Sequence, residues 1–204
     1  MGKYNDELLK KTVTSPEKEI VIVDEEYISK EPVTYTIKTK EGFIITDSNG
    51  IECYKYKTKS FSDTFIIYDP KEKPLLSIKM GFTSKIFSEK RTKKEIGKIK
   101  PKNSTKAQKY EIVYTNKATG KEEILNLNCS SYFRTSGIFH GREKEGAPLI
   151  GRIIRTVDNS FFNQNATYTI EIAPNVDILI MVALCVYVSL KKTSEDAAVI
   201  AAVI

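Results

Sequence analysis

From Ile178 to Val188 the chain carries no charged or strongly polar side chain, so a helix here has no wet face. A helix that is apolar all round must be enclosed by protein or by lipid. The β-branched residues Val176, Ile178, Ile180, Val182, Val186 and Val188 would also suit a buried strand. Length favours the helix, since buried strands rarely exceed about eight residues. Asn175 is a good N-cap, Asp177 puts a negative charge in the first turn, and Lys191 and Lys192 follow the run at the negative end of the dipole. The pattern predicts a helix over 175–190. About 15 helical residues span about 22 Å, short of a hydrocarbon core of about 30 Å, so a buried core helix is expected rather than a membrane span. Burying that many apolar side chains contributes on the order of 20–30 kcal/mol before chain entropy is subtracted.

The segments before it alternate with period two. Val33–Lys38 reads as a strand. Phe43–Thr46 leads through Asp47-Ser48-Asn49-Gly50 into Ile51–Lys57, and Asn-Gly between two such runs is a strong hairpin signal. On the returning arm Lys55, Lys57 and Lys59 share one face, Tyr54 and Tyr56 the other. Thr64–Tyr68 turns over Asp69–Pro74 and returns through Leu75–Met80, and weaker strands are expected near 84–90 and 95–100. Gln108–Thr115 turns over Asn116–Gly120 into Glu123–Asn128, and Leu149–Arg155 and Thr167–Ile172 complete the series. Ten to twelve short strands followed by one apolar helix describe a closed antiparallel β-barrel with the helix in its dry interior. Closure also removes exposed strand edges.

Residues 1–16 read as a polar, mobile arm ending at Ser15-Pro16, 17–192 as the barrel domain, and 193–204 as a tail. Within the tail, Ala197–Ile204 could form a short helix, and Ala202-Val203-Ile204 a weak peptide ligand. The chain has 204 residues, 41% of them hydrophobic, which supports a substantial core. Its start lacks an apolar signal segment, and Asp6 stands where myristoylation needs Ser or Thr. Cys53, Cys129 and Cys185 are widely spaced and odd in number, which predicts neither a disulfide framework nor a metal site and fits a reducing cytoplasmic setting.

The strand Tyr168–Ala173, the junction Pro174-Asn175-Val176-Asp177 and the run Leu179–Leu184 together resemble the C-terminus of the LURP-one-related family. The hairpins at Asp47–Gly50 and Leu75–Lys79 resemble its N-terminal half, and the likeness covers roughly residues 30 to 192. The resemblance implies the fold shared with the tubby C-terminal domain and the phospholipid scramblases, a twelve-stranded barrel threaded by a hydrophobic helix. The chain departs from plant members in lacking Trp and in its segment from Lys100 to Lys109. Nothing in it matches the tubby phosphoinositide-binding residues or the scramblase calcium-binding segment, so neither is carried over.

Charge is unevenly placed. Between Lys85 and Lys109 stand ten basic and two acidic residues, so this stretch carries +8 of a total of +6 and the rest carries −2. Such a sector could attract anionic lipid headgroups or phosphoinositides, nucleic acid, or an acidic protein, or simply keep the surface solvated. Nucleic acid is the less favoured partner. The headgroup candidates are Lys90, Arg91, Lys93, Lys94, Lys98 and Lys100. Arg152 and Arg155 fall on opposite faces of their strand and read as independent surface charges.

Enzyme signatures are weak. His140 is the single histidine, expected on a loop without a partner, and no nucleophile elbow, carboxylate pair, phosphate loop or metal spacing accompanies it. No catalytic residue, metal ligand or cofactor is expected. The expectation is a monomeric, non-enzymatic binding module that meets an anionic phospholipid surface peripherally. The alternatives are a soluble regulatory or scaffold protein with an unknown protein partner, or a scramblase-like membrane protein.

Overall fold

Residues 3–38, 44–59, 62–89, 92–102, 108–157 and 166–201 are described by a computed structural model. The strands are β1 (Val33–Lys38), β2 (Ile44–Asp47), β3 (Glu52–Thr58), β4 (Thr64–Tyr68), β5 (Pro74–Lys79), β6 (Ser84–Ser88), β7 (Lys94–Lys102), β8 (Lys109–Asn116), β9 (Lys121–Cys129), β10 (Thr135–His140), β11 (Leu149–Val157) and β12 (Ala166–Ile172), all expected from the sequence except β10. Each pairs antiparallel with its neighbour in sequence, and β1 pairs with β12 from Val33↔Ile172 to Lys38↔Thr167, closing a twelve-stranded barrel.

The apolar run forms α2 (Ile178–Ala201), and from Leu179 to Val188 no residue is more than 1% exposed. The inner faces of the strands meet it with Ile37, Ile45, Phe65, Ile67, Ile112 and Ile170. The barrel is therefore filled by side chains. On β11 the fit is tight: a Cβ placed on Gly151 would lie 2.2 Å from Met181 Cε, so a larger residue there would have to displace the end of that side chain. Where polar groups enter, they pair. Tyr187 meets Tyr110 edge to face at 5.5 Å and lies 3.4 Å from Ser84 Oγ, and Ser189 donates back to the Val186 carbonyl.

The helix differs from expectation at both ends. Its cap is Asp177, whose Oδ1 accepts from the Leu179 and Ile180 N–H groups at 3.1 and 3.3 Å. Asn175 instead takes a left-handed turn (φ 63°) that redirects the chain, and its side-chain amide donates to Ser15. At the far end Lys191 and Lys192 do not stop the helix. The Lys192 ammonium is buried and pairs with Asp196 one turn on, and Thr193 bonds back to the Ser189 carbonyl, so the expected tail continues α2.

Helix α2 enters the barrel at the end holding the β2–β3, β4–β5, β6–β7, β8–β9 and β10–β11 connections, and leaves at the opposite end. The entry end is closed by the apolar run near Ile20–Val23. It forms no strand of its own but lies buried across the mouth, bridging Ile20 to Val176. Asp177 secures it: Oδ2 accepts the N–H groups of Ile22, Val23 and Asp24 at 3.0, 2.6 and 3.3 Å. Burial raises this carboxyl to about 6 against the opposing pull of those donors.

Residues 1–16, expected as a mobile polar arm, hold α1 (Lys3–Lys10) docked on the outside of β10. Leu8 is fully buried there with Phe139 and Leu149, and Asn5 accepts from Thr135 at 2.6 Å. Arg152 was expected to be an independent surface charge. Its guanidinium donates to the Leu8, Leu9 and Lys11 carbonyls at the C-terminal end of α1, where the Leu8 carbonyl also accepts from the Lys11 N–H, and it pairs with Glu171 at 2.5 Å. Arg155 turns to the other face and interacts with Tyr168.

Candidate functional site

The basic sector is built on β6, β7 and β8. Pairing of β7 with β8 stops at Gly97↔Tyr114, although β7 continues along β6 to Lys94 and β8 along β9 to Asn116. Beyond that last rung the two strands part. A bulge opposite Ile86–Phe87 shifts the alternation of β7, so Lys98 and Lys100 face outward while Lys94 falls on the other side, at the rim of the mouth. The parting leaves a cleft of about 380 Å³ lined by Lys94, Lys98, Lys100, Lys117, Glu95 and Glu122, with Ile22 of the closing segment deep in it. Gly97 permits the approach of the strands here, since a Cβ would lie 2.9 Å from the Val113 carbonyl oxygen.

Of the predicted headgroup residues, the structure brings Lys94, Lys98 and Lys100 together round this cleft and adds Lys117. Lys93 goes elsewhere. It pairs with Glu89 at 2.9 Å, donates to Ser77 and lies over the Phe87 ring at 4.8 Å. Lys90, Arg91 and Lys106 lie outside the described residues, as do Ala202, Val203 and Ile204. Glu95 sits between Lys85 at 3.1 Å and Lys98 at 3.5 Å, and its hydrogen bond from Lys85 leads the effects that hold its carboxyl below the usual range. The Lys117 ammonium donates to the Val23 carbonyl, so it also ties the closing segment in place. Among the described residues no ion pair engages Lys94 or Lys100. Two free ammonium groups beside two engaged ones give the cleft a net demand for negative charge.

Beneath the cleft lies a polar cluster that strand periodicity did not reveal. Glu123 Oε2 accepts from Tyr114, Asn116 and His140 at 3.1, 3.0 and 3.0 Å, and Oε1 from Thr119 at 2.9 Å. His140, expected on a loop without a partner, is the last residue of β10 and meets Glu123 on the adjoining strand β9. Asn116 extends the cluster to the closing segment, accepting from Val21 and donating to the Glu19 carbonyl. Burial would raise Glu123, yet the donors around it hold the carboxyl below its ordinary value. The role this supports is fastening the mouth. Burial pushes the Cys129 and Cys185 thiols up, away from nucleophilic use.

Among the described residues no group of three or more His, Cys, Asp or Glu could hold a metal ion, and no helix is long and apolar enough to cross a membrane. No curated protein matches the sequence significantly. The fold is similar to the X-ray structure of a protein from Arabidopsis thaliana, with a TM-score of 0.63 at 20% identity over 83% of this chain and 97% of that one. At that identity the likeness bears on the fold alone. The LURP-one-related family model matches residues 33–189, from the first strand to the last buried turn of α2. The barrel, its threaded helix and this match agree: the chain belongs to the LURP-one-related family.

Proposed function

We propose that the protein is a non-enzymatic binding module whose cleft between β7 and β8 takes the phosphate of an anionic phospholipid headgroup. One observation carries the reading. Lys94, Lys98, Lys100 and Lys117 surround a single concave site, with Lys94 and Lys100 left without an acidic partner among the described residues. Ammonium groups on flexible stems suit phosphate as point charges, and basic residues near an anionic membrane are worth about 1 kcal/mol each. The volume falls in the range of small-ligand sites. Helix α2 stays inside the barrel in this reading, because its departure would leave the inner faces of the strands unfilled.

Co-sedimentation with phosphatidylcholine vesicles, with and without phosphatidylserine or a phosphoinositide, tests the proposal. Pelleting should require the anionic lipid and weaken as salt is added. The triple variant Lys94→Glu, Lys98→Glu, Lys100→Glu should bind at least about 100-fold more weakly, from three lost contacts of about 1 kcal/mol each plus repulsion. Pelleting that ignores the anionic lipid, or survives the triple variant, would defeat the reading.

A further inference from the structure

Two aromatic side chains stand out of the barrel where it has no structural use for them. Phe82 is 89% exposed and Tyr132 72%, more than any other large hydrophobic residue among the described ones. Phe82 sits on the tip between β5 and β6, and Tyr132 in the 3-10 turn Ser131–Phe133 between β9 and β10. Both connections lie at the end where α2 leaves the barrel. The second tip is held by strain. Tyr132 and Phe133 both take left-handed angles (φ 60° and 53°), which bulky residues avoid. Phe133 is buried, and the turn is tied by Phe133 N–H to the Ser130 carbonyl and Thr135 N–H to Ser130 Oγ. The result of that strain is to hold the Tyr132 ring in solvent.

Single exposed aromatics are ordinary on protein surfaces. These two bracket one arc of the rim, and the arc is the exit-end border of the basic sector. Lys79 and Lys85 flank the Phe82 tip, Arg134 follows Tyr132, and between them Lys102, paired with Glu111, ends β7 and Lys109 begins β8. The opposite mouth is mixed, since Lys94 and Lys117 of the cleft stand there beside an acidic closing segment. Its closing segment carries Glu17, Glu19, Asp24, Glu25, Glu26 and Glu31 against Lys18 and Lys30. The aromatic tips thus stand among basic strand ends at the exit rim.

We propose that Phe82 and Tyr132 enter the interface of an anionic bilayer, so that this rim is the edge by which the protein seats on a membrane. The proposal deepens the headgroup reading above and rests on it. Aromatic side chains flanked by Lys and Arg match the chemistry of the membrane boundary, where the ring leaves water and the cation stays among phosphates. Geometry favours a bilayer over a groove-bound ligand. The tips are separated by four strands, about 15–20 Å at ordinary strand spacing, and both project outward, so an extended surface can meet them together. The cleft opens on the same β7–β8 wall but nearer the entry mouth, so rim and cleft meet one surface only when the barrel lies over on this wall.

The chain has no tryptophan, so Phe82→Trp and Tyr132→Trp are each single fluorescent reporters. On adding phosphatidylcholine–phosphatidylserine vesicles, both should shift to the blue and be quenched by brominated acyl chains. The double variant Phe82→Ser, Tyr132→Ser should lose at least about tenfold in vesicle affinity, since each ring forfeits part of its transfer from water. Its binding of a soluble inositol phosphate and its melting temperature should be unchanged. If the wild type pellets with anionic vesicles while the reporters stay unshifted and the double variant binds as tightly, the seating edge is wrong and the headgroup cleft survives. If the wild type ignores anionic vesicles, both proposals fall.

Discussion

Replacing Asp177 by Asn tests whether the mouth and the central helix are held by one carboxylate. Its five acceptor contacts are divided, three to Oδ2 from Ile22, Val23 and Asp24, and two to Oδ1 from Leu179 and Ile180. An amide has one oxygen. Turned toward the helix, it faces three N–H donors of the closing segment with an NH₂ group; turned the other way, it strips the helix of its cap. Leaving a buried donor unsatisfied costs about 1–3 kcal/mol, and with some relaxation two or three of them should cost about 3–5 kcal/mol. For a chain of this size that is a fall of about 6–20 °C in Tm. Urea unfolding followed by far-UV circular dichroism at constant m-value would measure it. The pH dependence adds a second reading. The folded carboxyl is raised from 3.8 to about 6, so between about pH 4 and 6 the folded protein holds the proton that the unfolded chain has released. This group therefore makes stability fall as pH rises through that window and contributes no slope above it. A protonated carboxyl keeps lone pairs on both oxygens, which an amide does not, so the variant should be weaker at every pH and lack the slope. An Asp177→Asn protein within about 1 kcal/mol of wild type would refute the reasoning, because the donors would then have found other partners.

Two further outcomes follow from the same style of accounting. Arg152→Ala should release α1, removing the guanidinium from the carbonyls of Leu8, Leu9 and Lys11, so amide exchange across Lys3–Lys10 should speed up while β12 stays protected; unchanged protection of α1 would show that its other contacts, Leu8 packing and the Asn5–Thr135 bond among them, hold it without Arg152. Glu123→Gln should remove a stabilisation that is present above the ordinary carboxyl range near 4.5 and lost as pH falls below it, since the folded carboxyl is lowered. Acid titration of thermal stability should therefore flatten at its acid end in this variant, and an unaltered profile would count against the cluster at Tyr114, Asn116 and His140.

Most of the barrel was legible because hairpin chemistry is local. Asp47 accepts from Asn49 and Ile51 and Gly50 takes φ +78°, so the turn needs nothing from the rest of the chain. The core helix was legible because it has no polar face. What escaped notice depended on partners distant in sequence. Leu8 and Leu9 in a polar octapeptide give no clear periodic signal; docking of α1 needs Gly137, where a Cβ would lie 2.8 Å from Leu8 Cδ2, and Arg152, which lies more than 140 residues further on. Asn175 and Asp177 are both good caps by type, and only the left-handed backbone at Asn175 decides between them. Lys191-Lys192 looked like a terminus because a charge pair usually ends an apolar run, but Asp196 and Ser189 supply the partners that carry the helix past it. Of the candidate site, the residue types were visible, but their convergence was not. Regular alternation could not foresee the bulge that moves Lys94 across the wall, nor that Lys93 would lie on Phe87.

The filling of this barrel comes after all its staves in the order of the chain. While the polypeptide emerges from the ribosome, β1 waits for β12, and every inward Ile, Leu and Phe waits for α2. Vectorial synthesis therefore yields a long, unsatisfied intermediate with the inner face of its sheet uncovered, the kind of species that chaperones hold. Native structure then arrives late and nearly all at once, and a premature stop ahead of Ile178 would leave a sheet wrapped around nothing.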